Sequence, residues 1–154
     1  MGTYSFIVDV EAPQELVFDL WVNLDRIQEW MEGRPRVSDV TGPTNRAGTE
    51  YTLWFGRLPS RTKVLDAERP RHTRTRIQSR MLSAETDTTF AAMGDSATRL
   101  TETLRSHGMI AAVVARIFAT GSYKGSFRGE LQAFKRMCER EAREHGSQSA
   151  GEHR

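Results

Sequence analysis

The alternation of apolar and polar positions divides the chain into three regions. At the start Tyr4, Phe6, Val8 and Val10 alternate with Ser5, Ile7 and Asp9, which predicts a strand with one face in the core. Proline then stands just inside a helical start in Glu11-Ala-Pro-Gln-Glu15, and Leu16, Val17, Leu20 and Trp21 follow at helical spacing. Asn23 offers an amide oxygen to cap a second short helix, whose apolar face is Leu24, Ile27, Trp30 and Met31.

From Arg34 to His107 the pattern changes to strands, near residues 36–41, 48–55, 61–67, 73–82, 84–92 and 97–106, separated by turn residues at 42–45, 56–60, 68–71 and 94–95. Short strands joined by tight turns pair antiparallel, because parallel pairing needs long crossovers. Thr73, Thr75, Ile77, Ser79 and Met81 alternate with Arg74, Arg76, Gln78 and Arg80, so one face is basic and water-facing. Glu85 and Asp87 on the next strand can pair with those arginines across the ladder. In the last strand Glu102 shares a face with Leu100 and Leu104. A buried carboxylate is costly unless paired or wet, so Glu102 either lines a solvated cavity or the strand takes another register.

The third region predicts a long helix from Met109 to about Arg143, with one stripe running through Ile110, Val113, Ile117, Thr120, Lys124, Phe127, Leu131, Phe134 and Cys138. The stripe is apolar at both ends and polar at Thr120 and Lys124. Gly121, Gly125 and Gly129 weaken a helix by roughly 1 kcal/mol each relative to alanine, so this centre faces a close-packed backbone or a cavity. Beyond Ala142 the tail lacks any apolar residue larger than alanine, and residues 144–154 are expected to be disordered. Residues 1–143 read as one domain.

Charge and composition narrow the function classes. The net charge is +2 with acidic and basic residues interspersed, which argues against a nucleic-acid surface. Cys138 is the single cysteine and falls on the apolar stripe, so it reads as a small buried hydrophobe. The N-terminus lacks the basic start and apolar run of a signal peptide, and Arg116 interrupts the richest apolar segment, so a cytoplasmic protein without stable membrane insertion is expected. Homodimerisation stays open. His72, His107, His145 and His153 form no HxxxH or HExxH pattern, so neither a metal ion nor another cofactor is expected. The glycine-rich segments 42–48 and 121–126 lack the context of phosphate loops, and no GxSxG elbow occurs. Glu102 with His107 can supply acid/base chemistry in principle; an exposed junction histidine is the plainer alternative.

One strand, two short helices, six antiparallel strands and a long C-terminal helix form a distinctive order. With Ala12-Pro-Gln-Glu-Leu-Val-Phe18, Trp30, Glu68-Arg-Pro-Arg71, Gly94-Asp-Ser-Ala-Thr-Arg-Leu100 and Phe127-Arg-Gly-Glu-Leu-Gln-Ala-Phe-Lys135, the chain resembles the SRPBCC superfamily. That group includes START lipid-binding domains, the birch-pollen allergen family and polyketide cyclase/dehydrase-like proteins. The resemblance covers roughly residues 3–141 and implies an α+β helix-grip fold: a curved seven-stranded antiparallel sheet wrapped around the long helix, with a cavity between them. Candidate lining residues are Trp21, Trp30, Met31, Trp54, Phe55, Phe90, Ile117, Phe118, Thr120, Tyr123 and Lys124, each weighed against plain core packing. Lys124 either snorkels outward or meets Glu102 or an anionic ligand.

Three functions follow from the resemblance. The first is binding of a small hydrophobic molecule or lipid. The second is a polyketide cyclase, aromatase or dehydrase-like enzyme, with Glu102 and Tyr123 as general acid or base and Lys124 stabilising an enolate. The third is a chaperone-activator-like interaction through the arginine face.

Overall fold

In the computed structural model the backbone is described for residues 2–80, 83–107 and 122–152, and side chains for 3–80, 83–106 and 128–146. Strand β1 (Gly2–Val10) leads into helix α1 (Gln14–Trp21) and a 3₁₀ helix (Leu24–Glu29), followed by β2 (Arg36–Ser38), β3 (Glu50–Phe55), β4 (Leu58–Glu68), β5 (His72–Gln78), β6 (Ser83–Ala92) and β7 (Thr98–His107). Helix α2 (Ser122–Glu152) closes the chain. The strands form one antiparallel sheet in the order β1-β7-β6-β5-β4-β3-β2. Every neighbouring pair except β1 with β7 is consecutive in sequence, as short turns require.

Local chemistry explains most boundaries. The α1 cap is Pro13, in extended conformation, and its carbonyl accepts from the Val17 amide at 3.0 Å; proline suits this position because it has no amide to satisfy. Asn23 caps the next segment by accepting from the Asp25 amide at 3.0 Å. That segment is the second short helix, wound as a tight 3₁₀ helix. Strand β4 starts at Leu58, directly after a two-residue Gly56-Arg57 turn in which Gly56 has φ +63°, a left-handed conformation that glycine adopts without a Cβ penalty. A register shift between Val64 and Asp66 interrupts the ladder of β4 with β5, as a β-bulge does.

The inward positions are those the alternation indicates. Phe6, Val8 and Val10 are buried while Ile7 is 64 % exposed. Leu100, Glu102 and Leu104 all face inward, so the leucine register holds and the carboxylate goes in with it. On the outer face Arg74 and Arg76 both donate to Glu85, at 2.8 and 3.0 Å, and His72 bonds Asp87 at 2.8 Å. The basic row is therefore charge-paired along the sheet. Water and salt screen such surface pairs, so each contributes little to stability.

Helix α2 packs along β1, α1 and the 3₁₀ turn. Its buried residues Leu131, Phe134, Met137 and Cys138 follow the predicted stripe, with Met137 added. Burial pushes the Cys138 thiol up to about 12, which keeps it an uncharged core residue. Phe134 meets the rings of Trp21 and Trp30 edge-on at 5.0 and 5.1 Å, while those two indoles stack at 4.8 Å. Phe90 extends the cluster through Phe18 at 5.4 Å and Trp21 at 6.1 Å. Helix α2 continues beyond Arg143 to Glu152. Lack of an apolar face removes packing, but an anchored helix can still propagate by one hydrogen bond per residue through good formers such as Glu144 and Gln148. His145 lies 3.6 Å from Glu141, one turn back.

Truncating Phe134 to alanine removes the ring that ties α2 to both tryptophans, and the loss should be about 3–5 kcal/mol. Urea unfolding followed by tryptophan fluorescence checks this: the midpoint should fall sharply, with the emission of the native state already red-shifted.

Candidate functional site

The described part of α2 lies toward the β1 side of the sheet, and the inner face of β3 to β6 lines an open space. A cavity of about 200 Å³ occupies that space. Trp21, Trp30, Met31, Tyr51 and Phe55 form its aromatic and sulfur-bearing side. Val22, Leu24, Ile27, Leu53, Val64, Ile77, Ala84 and Leu104 supply aliphatic wall, and Thr44, Thr62, Thr73, Thr75 and Thr86 add hydroxyls. Two carboxyl groups complete the lining, Glu102 from β7 and Glu130 from α2.

The strand ladder fixes where Glu102 sits. It pairs with Phe6 on one side and Thr88 on the other, and Thr88 in turn faces Thr73. Glu102 is 7 % exposed, and among the described residues no side chain or amide donates a hydrogen bond to it. Burial pushes its carboxyl up to about 8, and the nearby Glu130 charge adds to the rise. Desolvation without a compensating donor favours the neutral acid. Glu130 is raised to about 7, mainly by burial; the Glu32 amide, donating to it at 3.1 Å, pulls the other way, and the Glu32 charge pushes up again. That amide also ties the first described turns of α2 to the loop after the 3₁₀ helix. Tyr51, opposite on β3, is pushed up to about 12 by burial and stays a neutral phenol.

Among the predicted lining residues, Trp21, Trp30, Met31 and Phe55 are on the wall, as is Glu102. Trp54 is not. It neighbours Phe55 on β3 and must point to the opposite face, where its indole N–H donates to Ser38 at 2.7 Å and Arg36 lies 5.2 Å over its ring. Phe90 is also off the wall: it faces inward at 2 % exposure but is taken up by Phe18 and Trp21. Ile117, Phe118 and Thr120 lie outside the described residues, and Tyr123 and Lys124 are described only as helical backbone. His107 ends β7, with its side chain likewise outside the description. The sequence reading missed Tyr51, the threonines and Glu130. Tyr51 and Leu53 share the parity of Phe55 on β3, a signal that was available. Glu130 stands one position before Leu131, at the flank of the apolar stripe, where only the rotation of the packed helix decides its side.

Among the described residues no group of three or more His, Cys, Asp or Glu could hold a metal ion, and no helix is long and apolar enough to cross a membrane. A neutral acid in an apolar pocket can donate a proton or hydrogen bond, and once ionised it can accept one.

A concave antiparallel sheet closed by a C-terminal helix over an apolar cavity defines a helix-grip protein. Solved structures with this fold include protein CV1439 from Chromobacterium violaceum (16 % identity, TM-score 0.67, covering 90 % of this chain and 99 % of that one). They include norcoclaurine synthase from Thalictrum flavum in complex with dopamine and hydroxybenzaldehyde (10 % identity, TM-score 0.63, covering 88 % and 85 %). The Aha1 dimer from Colwellia psychrerythraea also matches (14 % identity, TM-score 0.66, covering 90 % and 97 %). No curated protein matches the chain. The family model described as polyketide cyclase / dehydrase and lipid transport matches residues 1–139, and the chain belongs to that family.

The raised carboxyls have a consequence for stability. In the unfolded chain Glu102 titrates near 4.5 and in the folded protein near 8, so between those values the folded state holds the extra proton and stability falls as pH rises. Glu130 adds to the same slope up to about 7. Asp9, Glu29 and Glu85, held low chiefly by hydrogen bonds from Arg99, Arg26 and Arg74, act oppositely, losing their contribution as pH falls below the ordinary carboxylate range. The Glu102→Gln variant should therefore be more stable than the parent at about pH 8, by a few kcal/mol, and nearly equal at about pH 5. Urea midpoints across that range measure the difference.

Proposed function

We propose that this protein binds a small hydrophobic molecule in the cavity between its sheet and α2. The observation that carries this reading is the cavity itself: an apolar wall of aromatic and aliphatic side chains with a few polar groups to fix orientation, as ligand pockets have. Family membership supports the reading, since its description spans cyclases, dehydrases and lipid transport. At about 200 Å³ the described cavity lies below the usual range of roughly 300–1,000 Å³, which favours a compact ring system over a long acyl chain.

A second reading, an enzyme of the cyclase or dehydrase kind, is favoured by Glu102. A carboxyl kept neutral by burial is a general acid in waiting, and its position on the wall would put it against a bound carbonyl or hydroxyl. A synthase of the same fold is solved in complex with dopamine and hydroxybenzaldehyde. The interaction reading has no comparable support, because Arg74 and Arg76 are already engaged by Glu85.

Native mass spectrometry of the protein as purified, with solvent extraction of whatever is bound, tests the first reading. A stoichiometric organic adduct is expected, and Thr75→Phe, which fills the cavity from β5, should lower its occupancy at least tenfold. A clean apo mass together with no thermal stabilisation by any of a panel of aromatic and lipid compounds would contradict it. Once a ligand is known, Glu102→Gln separates the two readings: turnover is lost with binding retained for an enzyme, whereas only affinity changes for a carrier.

A further inference from the structure

Glu102 and Glu130 line one cavity from opposite layers of the fold, one from the sheet and one from the helix. Glu102 is more than nine-tenths buried, lines the space, and receives no hydrogen bond from any described residue. The charged and titratable groups around the pair come from each packed element. Among the described residues they are Tyr51 on β3, which stays neutral, and Glu32 in the loop after the 3₁₀ helix, whose amide donates to Glu130 at 3.1 Å. Among the described lining residues there is no lysine, arginine or histidine. The ionisable groups of the described lining are therefore acidic, its donors are neutral hydroxyls and the Trp30 indole, and a cationic ligand supplies the counter-charge.

We propose that the ligand of this cavity is a hydrophobic amine, whose ammonium group is held by Glu102 and Glu130 while its apolar body lies against Trp21, Trp30 and Phe55. This rests on the cavity-binding reading above and adds the ligand's charge. An ammonium brings donors to carboxyls that have few, forming charge-assisted hydrogen bonds in a low-dielectric site. A carboxylate ligand of the same shape meets two groups that repel it when ionised. A protonated amine entering the site allows Glu102 to ionise, so the complex forms with the proton of the Glu102 carboxyl passing to solvent.

The test compares naphthylmethylamine, naphthylmethanol and naphthoic acid, three probes of one shape and different charge, by isothermal titration calorimetry at neutral pH in two buffers of different ionisation enthalpy. The amine should bind at least tenfold more tightly than the acid, with the alcohol between them, and should release close to one proton per site. In the Glu102→Gln/Glu130→Gln variant the preference for the amine over the alcohol and the proton release should both vanish. Equal or tighter binding of the acid by the parent protein would overturn the proposal. So would a preference for the amine that emerges only in Lys124→Met, since that lysine would then be the natural counter-charge of the pair. Binding of the alcohol without discrimination by charge would leave the cavity reading standing and refute this one. Failure of all three probes, with clean folding, would remove both.

Discussion

The architecture depends on a clamp of aromatic rings. Phe134 on α2 sits edge-on to the stacked indoles of Trp21 and Trp30, and pairs of this geometry are worth roughly 0.5–1.5 kcal/mol each beyond the area they bury. The clamp fixes the described turns of the helix over β1 and the short helices, beside the cavity lined by β3 to β6. The register shift in β4 falls at the wall of that cavity, where Val64 is a lining residue.

The same geometry accounts for the polar character of the wall. Inward positions on β5 and β6 carry Thr73, Thr75, Thr86 and Thr88 where a filled core would carry leucine or valine. Threonine keeps the β-branched shape that a strand accommodates while presenting a hydroxyl to open space. Glu102 is the extreme member of this set. In a packed core it would cost several kcal/mol without a partner; on the wall of a cavity it remains as a neutral acid whose cost is realised only as pH rises. Stability and ligand chemistry are thus linked through one side chain.

Much of this was legible in the sequence, for reasons specific to each element. Period-two alternation in Tyr4 to Val10 and in Thr98 to Leu104 fixed which residues face inward, because one face of each strand is covered, and it carried Glu102 inward with its leucines. Parity also separates Phe55 from Trp54, though both are aromatic and both read as candidates for the wall. Depth was not legible: Phe90 faces the same way as wall residues yet is consumed by Phe18 and Trp21, which depends on contacts between distant segments. Glu130 stayed hidden because the helix stripe was drawn through its most apolar positions, and a small rotation about the axis turns a flank residue into a wall residue. The six-residue turn at Leu24–Glu29 has apolar spacing that suits α and 3₁₀ geometry equally, and only its hydrogen bonds distinguish them.

The central claim is that Glu102 is a protonated acid at neutral pH, held so by burial on the wall of a ligand cavity. Infrared spectroscopy of the carboxylic C=O stretch, which is separate from the carboxylate bands, reads this directly. The account predicts a carboxylic-acid band that persists at neutral pH, titrates away near 8, and is absent from Glu102→Gln. Loss of every such band by about pH 6, in a folded protein, would contradict it.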